Sequence, residues 1–356
     1  MGQRHTVTPG TRRKSSGDGD GALNGHVGNI GVLARRRHFA EDEERTIGFD
    51  LHGHRGIPDE AAAQFGRYFG GQPGGGAAAR PHGAKACAFI RVRTAAEGRI
   101  RIYTPHGGSL HYPLTTLKGN VYARVERALM NNTDLFLFES AFARDTYQRT
   151  IGTPKGLVRC VFNGVTANEF DPVVKAEDAT ELIYVGEFRR IKGADLLIDA
   201  VARLRADGRQ VTLTLAGDGE ESENLKAQVQ RLGLGEAVRF IGHVKARYGF
   251  SKGSLLVVPS RGDSMPYVVI EAAAAGIPMV AANVGGIPEI FGSHTDALFA
   301  PNNAAAMAKA IEIACDDPAA ALERARSLRE RIFMHFSQKA MVEGVLAGYG
   351  EAFANR

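Results

Sequence analysis

The alternation of apolar and polar positions changes character near Pro81. From there on, short apolar runs alternate with longer stretches of helical period, the pattern of α/β units. Arg99 to Thr104 reads as a strand, Asn120 to Met130 as an amphipathic helix, and Asp134 to Phe138 as a strand leading into a helix capped by Ser140. Gly156 to Phe162 adds a strand closed by Asn163-Gly164, and the polar stretch Asp171 to Thr180 marks a linker. A second series follows: strand Leu182 to Val185, helix Ala194 to Ala206, strand Val211 to Ala216, helix Glu223 to Leu232 and strand Val238 to Ile241. Leu255 to Val258 reads as a buried strand leading into a helix that ends at Gly276, with Pro278 beyond it. Met279 to Ala281 is the next strand, and Ala304 to Ala314 and Pro318 to Arg331 are helices. Parallel strands of such units place ligands at their C-terminal ends, so the loops after the strands are where chemistry is expected.

Residues 1 to about 80 do not share this order. Ser15 to Gly21 and Gly70 to Arg80 are rich in Gly, Ser and Ala, and between them only short segments such as Val27 to Leu33 read as strands. Asp18-Gly19-Asp20 follows no strand and reads as a solvated loop rather than as an acidic pair holding a divalent ion.

A length of 356 residues with 44% apolar content is enough for about two domains with separate cores. The net charge of +5 suits a nucleic-acid binder, a protein touching an anionic membrane or, most commonly, a basic soluble enzyme; between 81 and 170 the bases clearly outnumber the acids, so any electrostatic docking is expected from that part. A nucleic-acid binder would need clustered bases interleaved with aromatics; the chain has no Trp and no such stripe. Cys87, Cys160 and Cys315 are few and odd in number, without the paired spacing of a zinc site or a disulfide framework, which fits a reducing cytoplasm. The longest apolar stretch, Tyr267 to Val284, contains Glu271, so no membrane span is expected, and the basic start lacks the apolar segment of a secretory signal.

Candidate chemistry concentrates in Arg261-Gly262-Asp263-Ser264-Met265-Pro266-Tyr267 and the helix it opens. Ser264 reads as the cap and Pro266 as a first-turn residue, so free backbone N–H groups and the positive dipole end form an anion site. Asp263 lies at its mouth, and Glu271 about two turns further in, roughly 12 Å away at 1.5 Å per residue. A ligand with a central diphosphate and hydroxyl-bearing sugars at both ends matches that layout. Gly186-Glu187-Phe188-Arg189-Arg190-Ile191-Lys192-Gly193 joins a strand to a helix, where a glycine bend and cations meet such a diphosphate. Gly217-Asp218-Gly219-Glu220 and Val284-Gly285-Gly286-Ile287-Pro288-Glu289 are further turns after strands, the second with glycines that permit close approach to a ligand. The first lacks the third glycine of a dinucleotide oxidoreductase fingerprint.

Together these motifs resemble retaining glycosyltransferases of the GT-B fold, the family 4 (group 1) type, and the resemblance covers about 81 to 356. It implies an α/β protein of two Rossmann-like domains facing a cleft, the N-terminal one incomplete. The expected segments are a divergent or disordered 1–80, an acceptor-side domain at 81–170, a nucleotide-sugar donor domain at 171–335, and a C-terminal crossover helix at 336–356. In the family the first acid of the signature holds hydroxyls of the transferred sugar and the second holds the ribose; here these are Asp263, where Glu is usual, and Glu271. Lys192 takes the place of the phosphate-binding lysine. Glu187 stands where an arginine is expected, so Arg189 or Arg190 is expected to reach back in its stead. On the donor side the resemblance further implies Gly217, Gly219, His243 near the base and ribose, and Ser264, Met265, Pro266 and Tyr267. His106, before Gly107 and Gly108, takes the place of a histidine that faces the transferred sugar, and His82 and Lys85 belong to a loop near acceptor.

The implied activity is transfer of a hexose-type sugar, with retention and without a metal or other cofactor, from a nucleotide sugar to a glycan or lipid-linked acceptor. Its setting would be polysaccharide, lipopolysaccharide or glycolipid assembly in the cytoplasm, with peripheral contact to an anionic inner membrane face and no nucleic-acid partner. The alternative is a nucleotide-sugar-binding protein without transferase activity, because Glu187 and the N-terminal segment both depart from the active pattern. The sheet of the first domain is expected to be incomplete, from a divergent, truncated or wrongly framed start, with 1–80 open to limited proteolysis.

Overall fold

A computed structural model describes residues 30–35, 99–105 and 114–355. The remainder of the 1–80 segment and its expected protease sensitivity lie outside the described residues. Within that segment a strand, β1 (Ile30–Arg35), pairs antiparallel with β2 (Arg99–Thr104). Helix α1 (Leu117–Met130) follows, then β3 (Leu135–Phe138), α2 (Ala141–Thr150) and β4 (Leu157–Cys160). The described strands form a four-stranded sheet in the order β1-β2-β3-β4, parallel from β2 onward. Both helices start at side-chain caps: the Thr116 hydroxyl accepts from Gly119 N and that of Ser140 from Ala143 N, each at 3.0 Å.

Alternation along these strands sends side chains to two faces. Tyr103, Phe136 and Phe138 pack beneath α1 and α2 with Ala123, Met130, Ala143 and Tyr147. Ile100, Ile102, Leu135 and Leu137 face the other way, where Tyr349 and Ala352 of the last helix, Gln338–Ala354, cover them. The chain's C-terminus therefore returns to the first sheet, and Arg159 of β4 pairs there with Glu351.

The second unit contains β5 (Thr180–Val185), α3 (Ala194–Ala206), β6 (Leu213–Ala216), α4 (Ser222–Arg231) and β7 (Val238–Gly242). It continues with α5 (Ala246–Phe250), β8 (Gly253–Val258), α6 (Tyr267–Ala274), β9 (Met279–Ala282), α7 (Ile287–Phe291) and β10 (Leu298–Phe299). Helices α8 (Ala304–Asp316) and α9 (Pro318–His335) precede α10 (Gln338–Ala354), the crossover helix. All six strands are parallel, in the order β10-β9-β8-β5-β6-β7. Their apolar runs are buried on both faces, as a fully covered parallel sheet demands. Leu182, Leu213, Leu215, Leu255 and Val257 pack against α3, α4 and α8, while Ile183, Leu256, Val258 and Ala281 pack against α6, α7 and α9.

Among the described residues the chain passes between the two units twice, and the crossings are bonded to each other. Val165 N–H donates to the Phe336 carbonyl at 2.9 Å and Gln338 N–H to that of Val165 at 2.8 Å, while Phe162 and Phe336 stack with centroids 4.7 Å apart. A Cβ on Gly164 would lie 2.6 Å from the Ser337 carbonyl oxygen, so the glycine of Asn163-Gly164 lets the strands touch. Phe336 is fully buried. Phe336→Ala removes the ring that joins the crossings, and a loss of about 3 to 5 kcal/mol in urea unfolding of the second unit is the expected result.

Candidate functional site

β5 is followed by β6 and β7 on one flank, and the chain then returns to place β8 on the other. A crevice opens at such a reversal, outside the carboxyl ends of the two strands. The loop after β5, Gly186–Gly193, and the loop after β8, Pro259–Pro266, line it. They are bonded directly: Arg261 N–H donates to the Ile191 carbonyl at 2.8 Å and its guanidinium to that of Arg190 at 2.6 Å. The same guanidinium grips Asp195 of α3 with two bonds, at 2.7 and 2.6 Å. Burial alone would raise the Asp195 carboxyl, but the Arg261 bonds hold it below the usual carboxylate range. Gly193 has φ +76°, and a Cβ there would lie 2.1 Å from the Pro259 carbonyl oxygen. Only glycine fits that position.

The clamp brings Lys192 Nζ to 2.6 Å from Asp263 Oδ2, and Ser260 Oγ stands 3.5 Å from the same oxygen. The lysine and the first acid of the signature are thus neighbours on adjoining loops. Arg189 lies 3.8 Å from both Glu187 and Glu220, held by acids of its own turn and the next. Arg190 is exposed and lines an open groove with Asp195, Asp199 and Glu221. Neither arginine pairs with Asp263.

The glycine turns pack against protein. A Cβ on Gly217 would sit 1.9 Å from the Gly186 carbonyl oxygen, and one on Gly219 2.6 Å from that of Phe188. Phe188 N–H donates to the Asp218 carbonyl and Glu221 N–H to that of Phe188, so this turn is laced to the Lys192 loop. The Ser222 hydroxyl and Gly219 N–H both donate to the Asp218 carboxylate, in that order of effect holding it below its usual range. Gly285, with φ +64°, and Gly286 lie against the signature loop: added Cβ atoms would meet the Asp263 and Ser264 carbonyl oxygens at 1.6 and 1.8 Å. The close approach expected of these two glycines toward a ligand is made to the loop that carries Asp263. His243 is exposed at the end of β7, after Gly242 with φ +72°.

Ser264 does not cap the signature helix, contrary to expectation. Pro266 occupies the N-cap position in an extended conformation, and α6 begins one residue later at Tyr267. The Ser264 hydroxyl instead donates to the carboxylate of Glu139, at the end of β3 in the other unit. Asn163 Nδ2 bridges the same carboxylate and the Met265 carbonyl, at 3.3 and 3.4 Å. A capping side chain accepts from an N–H two or three residues further on, and Ser264 lies two residues ahead of the N-cap, out of register with the helix entrance, so its hydroxyl is used in the tertiary bond. α6 begins directly after the signature loop, so its positive dipole end lies beside that loop.

Glu271 is half-buried in α6. Burial first, and then the nearby Glu169 carboxylate, push its pKa up to about 7. Tyr267, with a partly exposed ring, is pushed up to about 12 by burial and by the Glu139 and Glu271 carboxylates. His82, Lys85, His106, Gly107 and Gly108 lie outside the described residues. Arg261, Asp195, Glu139, Asn163 and Glu289 also belong to this constellation, although the sequence pattern alone does not single them out. Of these, Glu139 carried a usable signal, being an acid at a strand end just before a helix cap.

Residues 165–332 match the family model of glycosyl transferases group 1. This segment, just under half of the chain, has the sequence pattern of a group 1 glycosyltransferase domain. The glycogen synthase of Mycobacterium tuberculosis is 32% identical over 232 residues, which cover 63% of this chain and 56% of that enzyme. The chain thus spans little more than half the length of that curated relative. The sucrose-phosphate synthase of Thermosynechococcus elongatus superposes with a TM-score of 0.62 at 28% identity, over 72% of this chain and 68% of that one. HepE of Anabaena, solved in complex with UDP, gives a TM-score of 0.61 at 21% identity over 70% and 72% of the two chains. The glycosyltransferase domain and the sheet beside it have the GT-B fold.

The raised pKa of Glu271 has a defined sign in stability. The folded state holds the proton up to about pH 7 while the unfolded chain releases it near 4.5, so this group's contribution is full below about pH 4.5 and is lost as pH rises through 7. Urea unfolding of the wild type should lose about 2 to 3 kcal/mol more between pH 5 and pH 8 than Glu271→Gln, which has no proton to release there.

Proposed function

We propose that the protein transfers a sugar from a nucleotide diphosphate sugar to a hydroxyl of a glycan or lipid-linked acceptor, with retention at the anomeric carbon and without a metal ion. The observation that carries this reading is the meeting of Lys192 and Asp263 at 2.6 Å in the strand-reversal crevice, beside the entrance of the helix that holds Glu271. Lys192 and the first amides of α6 favour a diphosphate, Asp263 accepts from hydroxyls of the transferred sugar, and Glu271 accepts from the ribose diol. Met265, Pro266 and Tyr267 shape the loop over the donor, while Gly217, Gly219 and His243 border the nucleotide. In the reaction the bond from the anomeric carbon to the diphosphate oxygen breaks, and the acceptor oxygen bonds to that carbon on the same face. A leaving-group oxygen takes the acceptor proton. Positive charge from Lys192 and the helix end offsets the charge that develops on the diphosphate.

A hexose-type donor and a polysaccharide, lipopolysaccharide or glycolipid product fit this site and the name of the glycogen synthase relative. No helix among the described residues is long and apolar enough to cross a membrane. Peripheral contact with an anionic inner membrane face is supported by α1, which exposes Leu117, Val121 and Val125 at intervals of one turn beside Arg124. Binding of the nucleotide sugar without transfer is the second reading, favoured by Arg189 being held between Glu187 and Glu220 rather than free for phosphate.

A thermal-shift screen of nucleotide sugars, followed by transfer assays with glycan and lipid-linked acceptors, separates the two. A donor present at 100 times its dissociation constant is expected to add about 2.7 kcal/mol of stability. Stabilisation without transfer to any acceptor would favour the binding protein, and no stabilisation by any nucleotide sugar would overturn both. Lys192→Ala should weaken transition-state stabilisation by about 2 to 3 kcal/mol, with a smaller effect on donor affinity. Glu271→Ala should cost about 2 to 4 kcal/mol in donor affinity or turnover. Activity should persist in a chelator; a strict requirement for added divalent ion would rule out the metal-free mechanism.

A further inference from the structure

Two carboxylates cross the cleft in opposite directions. Glu139, 5% exposed at the end of β3, reaches from the N-terminal sheet to the Ser264 hydroxyl of the donor-side loop. Glu289, in α7 of the other unit, reaches back. Its Oε2 accepts the Ala141 N–H and its Oε1 the Phe142 N–H, each at 2.8 Å. These are the first two amides of α2, which have no acceptor within their own helix. Ser140 already accepts the third, from Ala143, so the entrance of α2 is completed by a residue from the opposite unit.

The two contacts share one loop pair. Gly286, three residues before Glu289, donates its N–H to the Asp263 carbonyl at 3.0 Å, and a Cβ on it would stand 3.2 Å from Ser140 Cβ. The signature loop, the second glycine turn and the start of α2 therefore lie in one packed stack. Displacing Glu289 from α2 loosens the stack that holds Asp263 and Ser264 against the acceptor-side sheet.

We propose that Glu289 is a positioning residue for the transfer reaction. With Glu139 facing the other way, it sets the register of the acceptor-side sheet over the donor loop. A carboxylate on two helix-entrance amides is a charge-assisted bond with favourable dipole alignment, strong enough to select one register. Water can replace it when the units part, so the contact is reversible. This inference rests on the transfer reading above and extends it. The groups assigned there to the donor belong to the C-terminal unit and do not need Glu289, whereas alignment of acceptor oxygen with the anomeric carbon does.

The test uses the full chain as wild type, Glu289→Ala and Glu289→Gln. Amide hydrogen exchange over residues 139–143 reads the contact directly, calorimetry with UDP reads the donor site, and turnover reads alignment. In Glu289→Ala, exchange at Ala141 and Phe142 should be at least about tenfold faster. UDP affinity should stay within about twofold while turnover falls by about tenfold or more. Glu289→Gln, whose amide oxygen can still accept, should fall between wild type and Glu289→Ala in both exchange and turnover. Unchanged exchange in Glu289→Ala would overturn the proposal, as would turnover unchanged or falling only in step with UDP affinity. Should the wild type bind no nucleotide and transfer no sugar, the transfer reading fails and the role in transfer falls with it. Exchange would then still show whether Glu289 holds the two units together.

Discussion

Strand β5 pairs with β8 through Leu182–Leu255 and Ile183–Leu256, although the two are separated in the chain by β6, β7 and three helices. Because the loops after neighbouring parallel strands emerge side by side, this pairing forces Gly186–Gly193 against Pro259–Pro266. The contact is made with backbone: Gly193 rests on the Pro259 carbonyl, and Arg261 ties Arg190, Ile191 and Asp195 into one clamp. Lys192 and Asp263 meet as a consequence. An ion pair with both partners partly exposed adds little stability by itself, so the clamp holds the pair in place rather than the reverse.

The periodic elements were legible in the sequence because their apolar faces are regular. Helix Ala194–Ala206 occupies the span its pattern dictates, and each strand of the second unit that the pattern placed is present, with ends shifted by a residue or two. Ala246–Phe250 and Ile287–Phe291 were not legible: five residues make little more than one turn, too short for a helical period to register. Nor was the two-residue strand Leu298–Phe299. Ser264 misled for a different reason. A serine just before an apolar run has the form of a cap, and nothing local reveals that the helix starts only at Tyr267, or that Glu139, 125 positions earlier, takes the serine's hydroxyl proton.

The glycines show the same limit from the other side. A glycine pair after a strand says that something comes within van der Waals distance of the backbone, without saying what. At Gly285 and Gly286 it is the Asp263 and Ser264 carbonyls, and at Gly217 and Gly219 it is the loop carrying Phe188. These turns contribute to the site by bracing the loops that bear its side chains. Residue types at the strand ends were thus readable, while their partners across the cleft depend on how two separately patterned sheets come together.

The two acids of the signature end up in opposite electrostatic states, and this bears on how a donor would enter. Asp263 has Lys192 as its counter-ion at 2.6 Å, whereas Glu271 is shielded from water with the like-charged Glu169 nearby. Under the transfer reading an incoming diphosphate would compete with Asp263 for Lys192, and because that pair is partly exposed the exchange would cost little. It would also leave Asp263 free to accept from sugar hydroxyls at the moment the phosphate takes its cation. Glu271 behaves differently: near neutrality its carboxyl is shared between protonated and ionised forms, and two ribose hydroxyls would favour the ionised one by hydrogen bonding to it. Under the transfer reading, one acid is therefore switched by the phosphates and the other by the ribose. On that reading the donor would complete a site whose charges are only provisionally balanced without it.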